Sequence, residues 1–178
     1  DFAIVPDSVK YYDTRSPYTQ LDYAQGSKGQ QRIYVTHARN ITSRWNVTAM
    51  VRRMASKKML GRLTKTDRQA ENWGFNLATR YYSKNARYQV LGTVSTMSHN
   101  HYDQGGILPD STDLTNADLY SYELEKVRLY RVTSKDKRVY ARIYQQASLR
   151  KDSLVQFFHQ LDFTSRYNTY EDPSNLTD

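Results

Sequence analysis

The chain has 178 residues, of which 38% are hydrophobic, and no run approaches the roughly 18 consecutive apolar residues of a transmembrane helix. A helical membrane protein is therefore excluded, although the length would accommodate roughly eight to twelve membrane-crossing strands with their loops. The 16 Tyr, 5 Phe and 2 Trp argue against disorder, the absence of Cys excludes disulfides and thiolate sites, and the net charge of +8 raises nucleic-acid binding as a hypothesis.

Alternation of apolar and polar residues with period two dominates the chain and is typical of β-strands. No segment of comparable length carries a helical stripe, so the predicted fold is all-β. Residues 1–16 are interpreted as an N-terminal extension, and residues 17–178 as the region that contains the strands. The predicted strands, in chain order, lie near residues 18–25, 31–38, 45–52, 72–81, 88–97, 139–147 and 155–163.

The clearest of these strands is the fourth, in which Trp73, Phe75 and Leu77 alternate with Asn72 and Asn76. Alternate side chains of a strand point to opposite faces of its sheet. In a transmembrane β-barrel, the apolar set would contact lipid and the polar set would face a watery interior. The strand therefore predicts one lipid-facing and one lumen-facing surface.

Connection lengths also follow a pattern. Short turns are predicted near residues 39–44, 83–87 and 148–152, and long connections near 53–70, near 98–131 and after Tyr167. In an up-and-down meander the two sets fall at opposite ends of the sheet, with the brief turn at Gly26–Gln30 as the exception. This layout predicts an antiparallel up-and-down transmembrane β-barrel with short periplasmic turns and long external loops. Four aromatic residues near strand ends are predicted to lie at the membrane interface: Trp45, Trp73, Tyr81 and Tyr88.

Three stretches of the sequence carry a resemblance to a known family. They are residues 11–27, residues 35–41 followed by Arg44-Trp45-Asn46 and then Arg52-Arg53, and residues 76–88. These stretches resemble the putative-porin family of Bacteroidota outer membranes. The resemblance covers residues 9 to about 100 well and the remainder loosely. It implies the N-terminal portion of a larger barrel in the bacterial outer membrane. The family has no assigned catalytic residues, so neither an enzyme nor a cofactor is expected.

The predicted lumen-facing set includes four arginines: Arg32, Arg52, Arg80 and Arg142. In an open barrel they would form a basic strip that favours anionic solutes, as charged rings do in pores. The alternative is that they pair with Asp162, with Asp22 or with loop carboxylates. The net charge of +8 would also suit contact with acidic lipopolysaccharide head groups near the external loops.

His99, His101 and Asp103 form the one metal-like pattern, because alternate residues on a strand point the same way. No second cluster supplies a fourth ligand, so no metal is expected and the pattern suits a loop entry that happens to contain two histidines. Nucleic-acid binding would place basic and aromatic residues on one face. Here Trp73 and Phe75 share a face with Leu77 and not with Arg80, so no nucleic-acid partner is expected.

These observations predict an outer-membrane porin that passes small hydrophilic solutes by passive diffusion. Two alternatives remain open at this point. One is a closed or plugged barrel that serves as a structural or accessory subunit of an outer-membrane complex, and the other is a soluble β-sandwich that acts as a binding module. Outer-membrane lipid, lipopolysaccharide, other outer-membrane proteins or further copies of the chain are the expected partners.

Overall fold

The computed structural model describes residues 4–57, 68–105, 128, 129, 132–149 and 155–172. In these residues one antiparallel sheet contains seven strands, each paired with its neighbours along the chain. Two short 3₁₀ turns, Pro6–Ser8 and Ser27–Gly29, accompany the sheet. The strands are β1 (Tyr18–Gln25), β2 (Gln31–Thr42), β3 (Trp45–Lys57), β4 (Arg68–Tyr82), β5 (Tyr88–Asp103), β6 (Val132–Ser148) and β7 (Gln156–Glu171).

The all-β, up-and-down prediction is confirmed, and the sheet is compatible with part of a barrel, since β1 and β7 do not pair with each other in the described residues. The described residues contain no helix long and apolar enough to cross a membrane. Each predicted strand corresponds to one observed strand.

Several strand ends were predicted too short. Residues 39–42 belong to β2 and residues 99–103 to β5, although both were expected in turns or loops. Residues 53–57 belong to β3 and residues 68–70 to β4, although a connection was predicted near 53–70. Strand β6 begins earlier, at residue 132, and β7 continues to residue 171. At these ends the side chains are mostly polar on both faces, so the hydropathy pattern does not reveal the strand. Backbone pairing, which does not depend on side-chain polarity, continues there.

The connections fall into two groups. Residues 43–44, 83–87 and 149–155 join strands at one end of the sheet, which we call the short-connection end. Residues 26–30, 58–67 and 104–131 join strands at the opposite, long-connection end. Much of the predicted long loops (58–67 and 106–127), together with residues 150–154 of the last turn, lies outside the described residues.

The two faces of the sheet differ in an unusual way. On β4, Trp73, Phe75 and Leu77 are 48%, 42% and 44% exposed, whereas Asn72 and Asn76 between them are each 1% exposed. Paired residues of neighbouring strands share a face, so this contrast extends across the sheet. We call the face of Trp73 the apolar face and the face of Asn76 the polar face. The apolar face is exposed and the polar face is buried.

Small and polar side chains make up most of the polar face. Soluble proteins bury mainly large apolar residues, so this composition is the reverse of a soluble core. Hydrogen bonds stabilise it: the Asn76 amide donates to the Thr93 hydroxyl at 2.7 Å, and the Thr48 hydroxyl donates to Asn46 at 3.0 Å. The residues under 5% exposed on this face include Thr36, Ala38, Asn46, Thr48, Asn72, Asn76, Ala78, Thr93, Ser95 and Met97.

A segment ahead of β1, residues 4–16, lies against the polar face, and we call it the strap. Ile4, 3% exposed, sits so close above Gly74 that a Cβ there would lie 2.8 Å from the Ile4 Cδ1. The absence of a side chain at Gly74 therefore lets the strap approach the sheet closely.

Candidate functional site

All four predicted arginines lie on the polar face, as their register shows. Arg32 pairs with Met54, Arg52 with Gly74, Arg80 with Leu91 and Arg142 with Thr93. No two of them are paired directly. They are therefore spread over four strands and along the length of the sheet.

Arg142 binds two carboxylates, one from the sheet and one from the strap. Its Nε lies 2.5 Å from Asp162 Oδ1 and its Nη2 lies 3.1 Å from Asp162 Oδ2, which is the two-point geometry that arginine forms with carboxylates. Its Nη1 donates to Asp7 in the strap. The alternative in which this arginine pairs with Asp162 is therefore the arrangement that the structure contains.

A second contact between strap and sheet involves Arg80, whose Nη2 lies 3.6 Å from Asp13 Oδ2. The Asn40 amide donates to Asp13 Oδ1 at 3.0 Å, and the Thr14 backbone N–H donates to Asn40 Oδ1 at 3.3 Å. These bonds anchor the strap over β2 to β4, while Asp7 anchors it over β6. The strap thus crosses most of the width of the polar face.

The sequence pattern did not predict the strap contacts, because residues 4–16 have no periodicity. It also missed an ion cluster on the polar face of β6 and β7. There Asp136 Oδ2 lies 2.5 Å from Arg138 Nη2 and 3.1 Å from Arg166 Nη2. Extending the alternation of β6 back to residue 132 would have revealed that Asp136 and Arg138 share the face of Arg142.

The aromatic residues predicted at the interface occupy both ends of the apolar face. Trp45 pairs with Tyr81 at the short-connection end, where Tyr88 begins β5, and Trp73 lies toward the opposite end. Trp73 and Tyr81 are eight residues apart, which is roughly 27 Å along a strand. A strand tilt of about 40° reduces this to roughly 20 Å, near the about 25 Å height of the apolar band in outer-membrane barrels.

The polar tips of three of these rings are bonded. The Trp45 Nε1 donates to Thr79 Oγ1 at 2.8 Å, the Trp73 Nε1 to Glu71 Oε1 at 3.3 Å and the Tyr88 hydroxyl to Gln145 Oε1 at 3.1 Å. Rings with an apolar body and a satisfied polar tip suit the boundary between an apolar and a watery medium.

Toward the long-connection end, charged residues cluster on the apolar face beyond Trp73. Arg53 and Arg68 both donate to Glu71 Oε1, at 3.1 and 2.5 Å. The Arg53 guanidinium also lies over the Trp73 ring, 5.1 Å from its centre. The face therefore changes from apolar to charged at the level of Trp73.

His99, His101 and Asp103 share the polar face of β5. The rings of His99 and His101 are stacked with centres 6.3 Å apart, and His101 Nε2 lies 3.4 Å from Asp103 Oδ1. Asp103 also accepts a hydrogen bond from Ser134 at 2.6 Å. In the part of the chain that the structure describes, no group of three or more His, Asp or Glu side chains is placed to hold a metal ion.

Comparisons with known proteins give one match. A family model described as "Putative porin" matches residues 1–177. Neither the curated proteins nor the solved structures contain a match. The family model spans the described sheet and the strap together. The chain therefore belongs to the putative-porin family.

Proposed function

We propose that this chain forms part of the wall of an outer-membrane β-barrel. Small hydrophilic solutes diffuse passively through this barrel, without catalysis or cofactor. Its polar face lines the lumen and its apolar face contacts lipid. The observation that carries the proposal is the inverted burial of the sheet, with Trp73, Phe75 and Leu77 exposed and Asn72 and Asn76 buried.

Physical chemistry connects this inversion to a membrane. A row of exposed large apolar side chains across seven strands is unfavourable in water, since each loses the free energy that burial would provide. Contact with hydrocarbon restores that free energy. Hydrocarbon offers no hydrogen-bond partners, so the backbone of a membrane-crossing strand must be paired on both sides, as it is in β2 to β6.

The soluble β-sandwich is the weaker alternative. A sandwich buries the apolar faces of two sheets against each other. Here the described residues form one sheet, and its apolar face has no second layer. The side chains that such a core would use are the exposed ones.

The proposed partner is outer-membrane lipid, and the charged residues beyond Trp73 suit the acidic head groups of lipopolysaccharide. Arg53, Lys57, Arg68, Lys135 and Lys137 all belong to this end of the apolar side, against the carboxylates of Glu71 and Glu171. Other outer-membrane proteins or further copies of the chain would contact the same surface.

The strap favours a second candidate function, a plugged barrel with a structural role. Residues 4–16 cross the polar face and are bound at both Asp7 and Asp13. In a lumen they would narrow the passage. A narrow passage still conducts small ions, whereas a complete plug does not.

Conductance of the purified protein in planar lipid bilayers separates these functions. We expect discrete channels from the unaltered chain, and larger steps from a variant that lacks residues 4–16, because the strap occupies part of the polar face. Channels only in the deletion variant would establish the plugged barrel. No channels in either protein would contradict the porin proposal, and a soluble, monomeric protein without detergent would contradict both membrane functions.

A further inference from the structure

A cavity of about 500 Å³ opens on the polar face near the long-connection end. Four of its lining residues form one row across the sheet, because Arg32 pairs with Met54, Met54 with Asn72 and Asn72 with His99. Its volume lies within the range of about 300–1,000 Å³ that small-molecule sites occupy. The cavity therefore has the size and the rigid strand scaffold of a binding site.

Asn72 is the unusual member of this row. It is 1% exposed, yet neither atom of its side-chain amide has a hydrogen-bond partner among the described residues. Buried amides are almost always bonded, because an unpaired one costs about 1–3 kcal/mol. Asn76, four residues further along β4 on the same face, is equally buried but donates to Thr93. Asn72 thus lines the cavity with an amide that has one unused donor group and one unused acceptor.

The cavity also carries a positive charge. Arg32 is the only Lys, Arg, Asp or Glu among its described lining residues, and it forms no ion pair with a described carboxylate. Arg80 and Arg142 on the same face are paired with Asp13 and Asp7 of the strap. Arg32 therefore differs from them in having its guanidinium available to a ligand.

We propose that this cavity binds a small solute that carries both an oxyanion, as carboxylate or phosphate, and hydroxyl groups. Arg32 binds the oxyanion, because a guanidinium matches the geometry of such groups. Asn72 donates to one hydroxyl oxygen and accepts from another hydroxyl. This inference rests on the proposed function, since it names the class of solute that the pore would hold in passage.

Calorimetric titration of the full chain in detergent micelles tests the site with gluconate, glucose 6-phosphate and the uncharged polyol sorbitol. We expect gluconate or glucose 6-phosphate to bind more tightly than sorbitol, and the stronger of the two identifies the oxyanion. Asn72→Leu should weaken that binding at least about tenfold, the effect of losing roughly two hydrogen bonds. Arg32→Gln should remove the difference from sorbitol.

Asn76→Leu is the matched control, because it changes a buried asparagine of the same strand and face that does not line the cavity. It should keep the binding of the native chain while unfolding at lower urea. Asn72→Leu should show the opposite pattern, since its amide has no protein partner to lose. Equal affinity for all three solutes, or binding unchanged in both Asn72→Leu and Arg32→Gln, would contradict the site.

The outcome for the site is distinguishable from the outcome for the pore. Channels in planar bilayers, combined with no preference for either oxyanion over sorbitol, would support the porin function and contradict the binding site. Binding that depends on Arg32 and Asn72, combined with no channels, would contradict passive diffusion and support a solute-binding protein.

Discussion

The two faces of β4 share one backbone and have opposite environments. Trp73, Phe75 and Leu77 are exposed, whereas Asn72 and Asn76 are buried. The polar face is stabilised from within, through hydrogen bonds such as that from Asn76 to Thr93 and ion pairs such as that of Arg142 with Asp162. On the apolar face, the side chains of Phe75 and Leu77 have no polar atoms to form such bonds, so they depend on the medium around them. This fold therefore takes its hydrophobic free energy from outside the chain.

The largest expected effect comes from placing a charge in the middle of the apolar face. Leu77 lies halfway between Trp73 and Tyr81 on β4. Leu77→Arg should lower the free energy of unfolding in lipid vesicles by about 2–4 kcal/mol, the cost of an arginine at the midplane of a bilayer. Urea titration of the vesicle-inserted protein, followed by tryptophan fluorescence, measures this difference.

Depth provides the control for that substitution. Asn100 pairs with Glu71 on the same side of the sheet, beyond Trp73. Asn100→Arg should therefore change the free energy of unfolding by only about 0–1 kcal/mol, because arginine is tolerated near the interface. Equal costs at the two positions would show that the apolar face does not cross hydrocarbon.

A smaller effect is expected from the hydrogen bonds of the polar face. Asn76→Leu leaves the buried Thr93 hydroxyl without its amide partner and should lower the free energy of unfolding by about 1–3 kcal/mol. Adding Thr93→Val removes the orphaned hydroxyl, so the double variant should recover part of the loss. Strictly additive losses in this double-mutant cycle would contradict a direct interaction between the two side chains.

The division into two faces was predictable, because the alternation of Trp73, Phe75 and Leu77 with polar neighbours requires no knowledge of tertiary contacts. The ends of the strands were not. Residues 99–103 are polar on both faces, so only their backbone pairing with β6 identifies them as strand. The strap contacts were also out of reach, since Asp7 and Arg142 are 135 residues apart in sequence and neither lies in a pattern that points to the other. Periodicity reports which medium a side chain meets, but not which distant segment covers it.

The smallest expected effect on stability comes from removing the strap carboxylates. The same substitutions also test, through ion permeability, which face lines the lumen. Asp7→Asn and Asp13→Asn together remove the strap partners of Arg142 and Arg80. Because Asp7 is 81% exposed and Asp13 is 60% exposed, the free energy of unfolding should fall by less than about 1 kcal/mol.

If the polar face lines the lumen, the two arginines then act on passing ions, and the ratio of chloride to potassium permeability in planar bilayers should rise. Glu71→Gln also removes a negative charge, but from the apolar side beyond Trp73, so it should leave this ratio unchanged. An equal change in this permeability ratio with Glu71→Gln and with the strap variant would mean that the ratio depends on net charge alone. That result would contradict the use of the ratio to assign the polar face to the lumen.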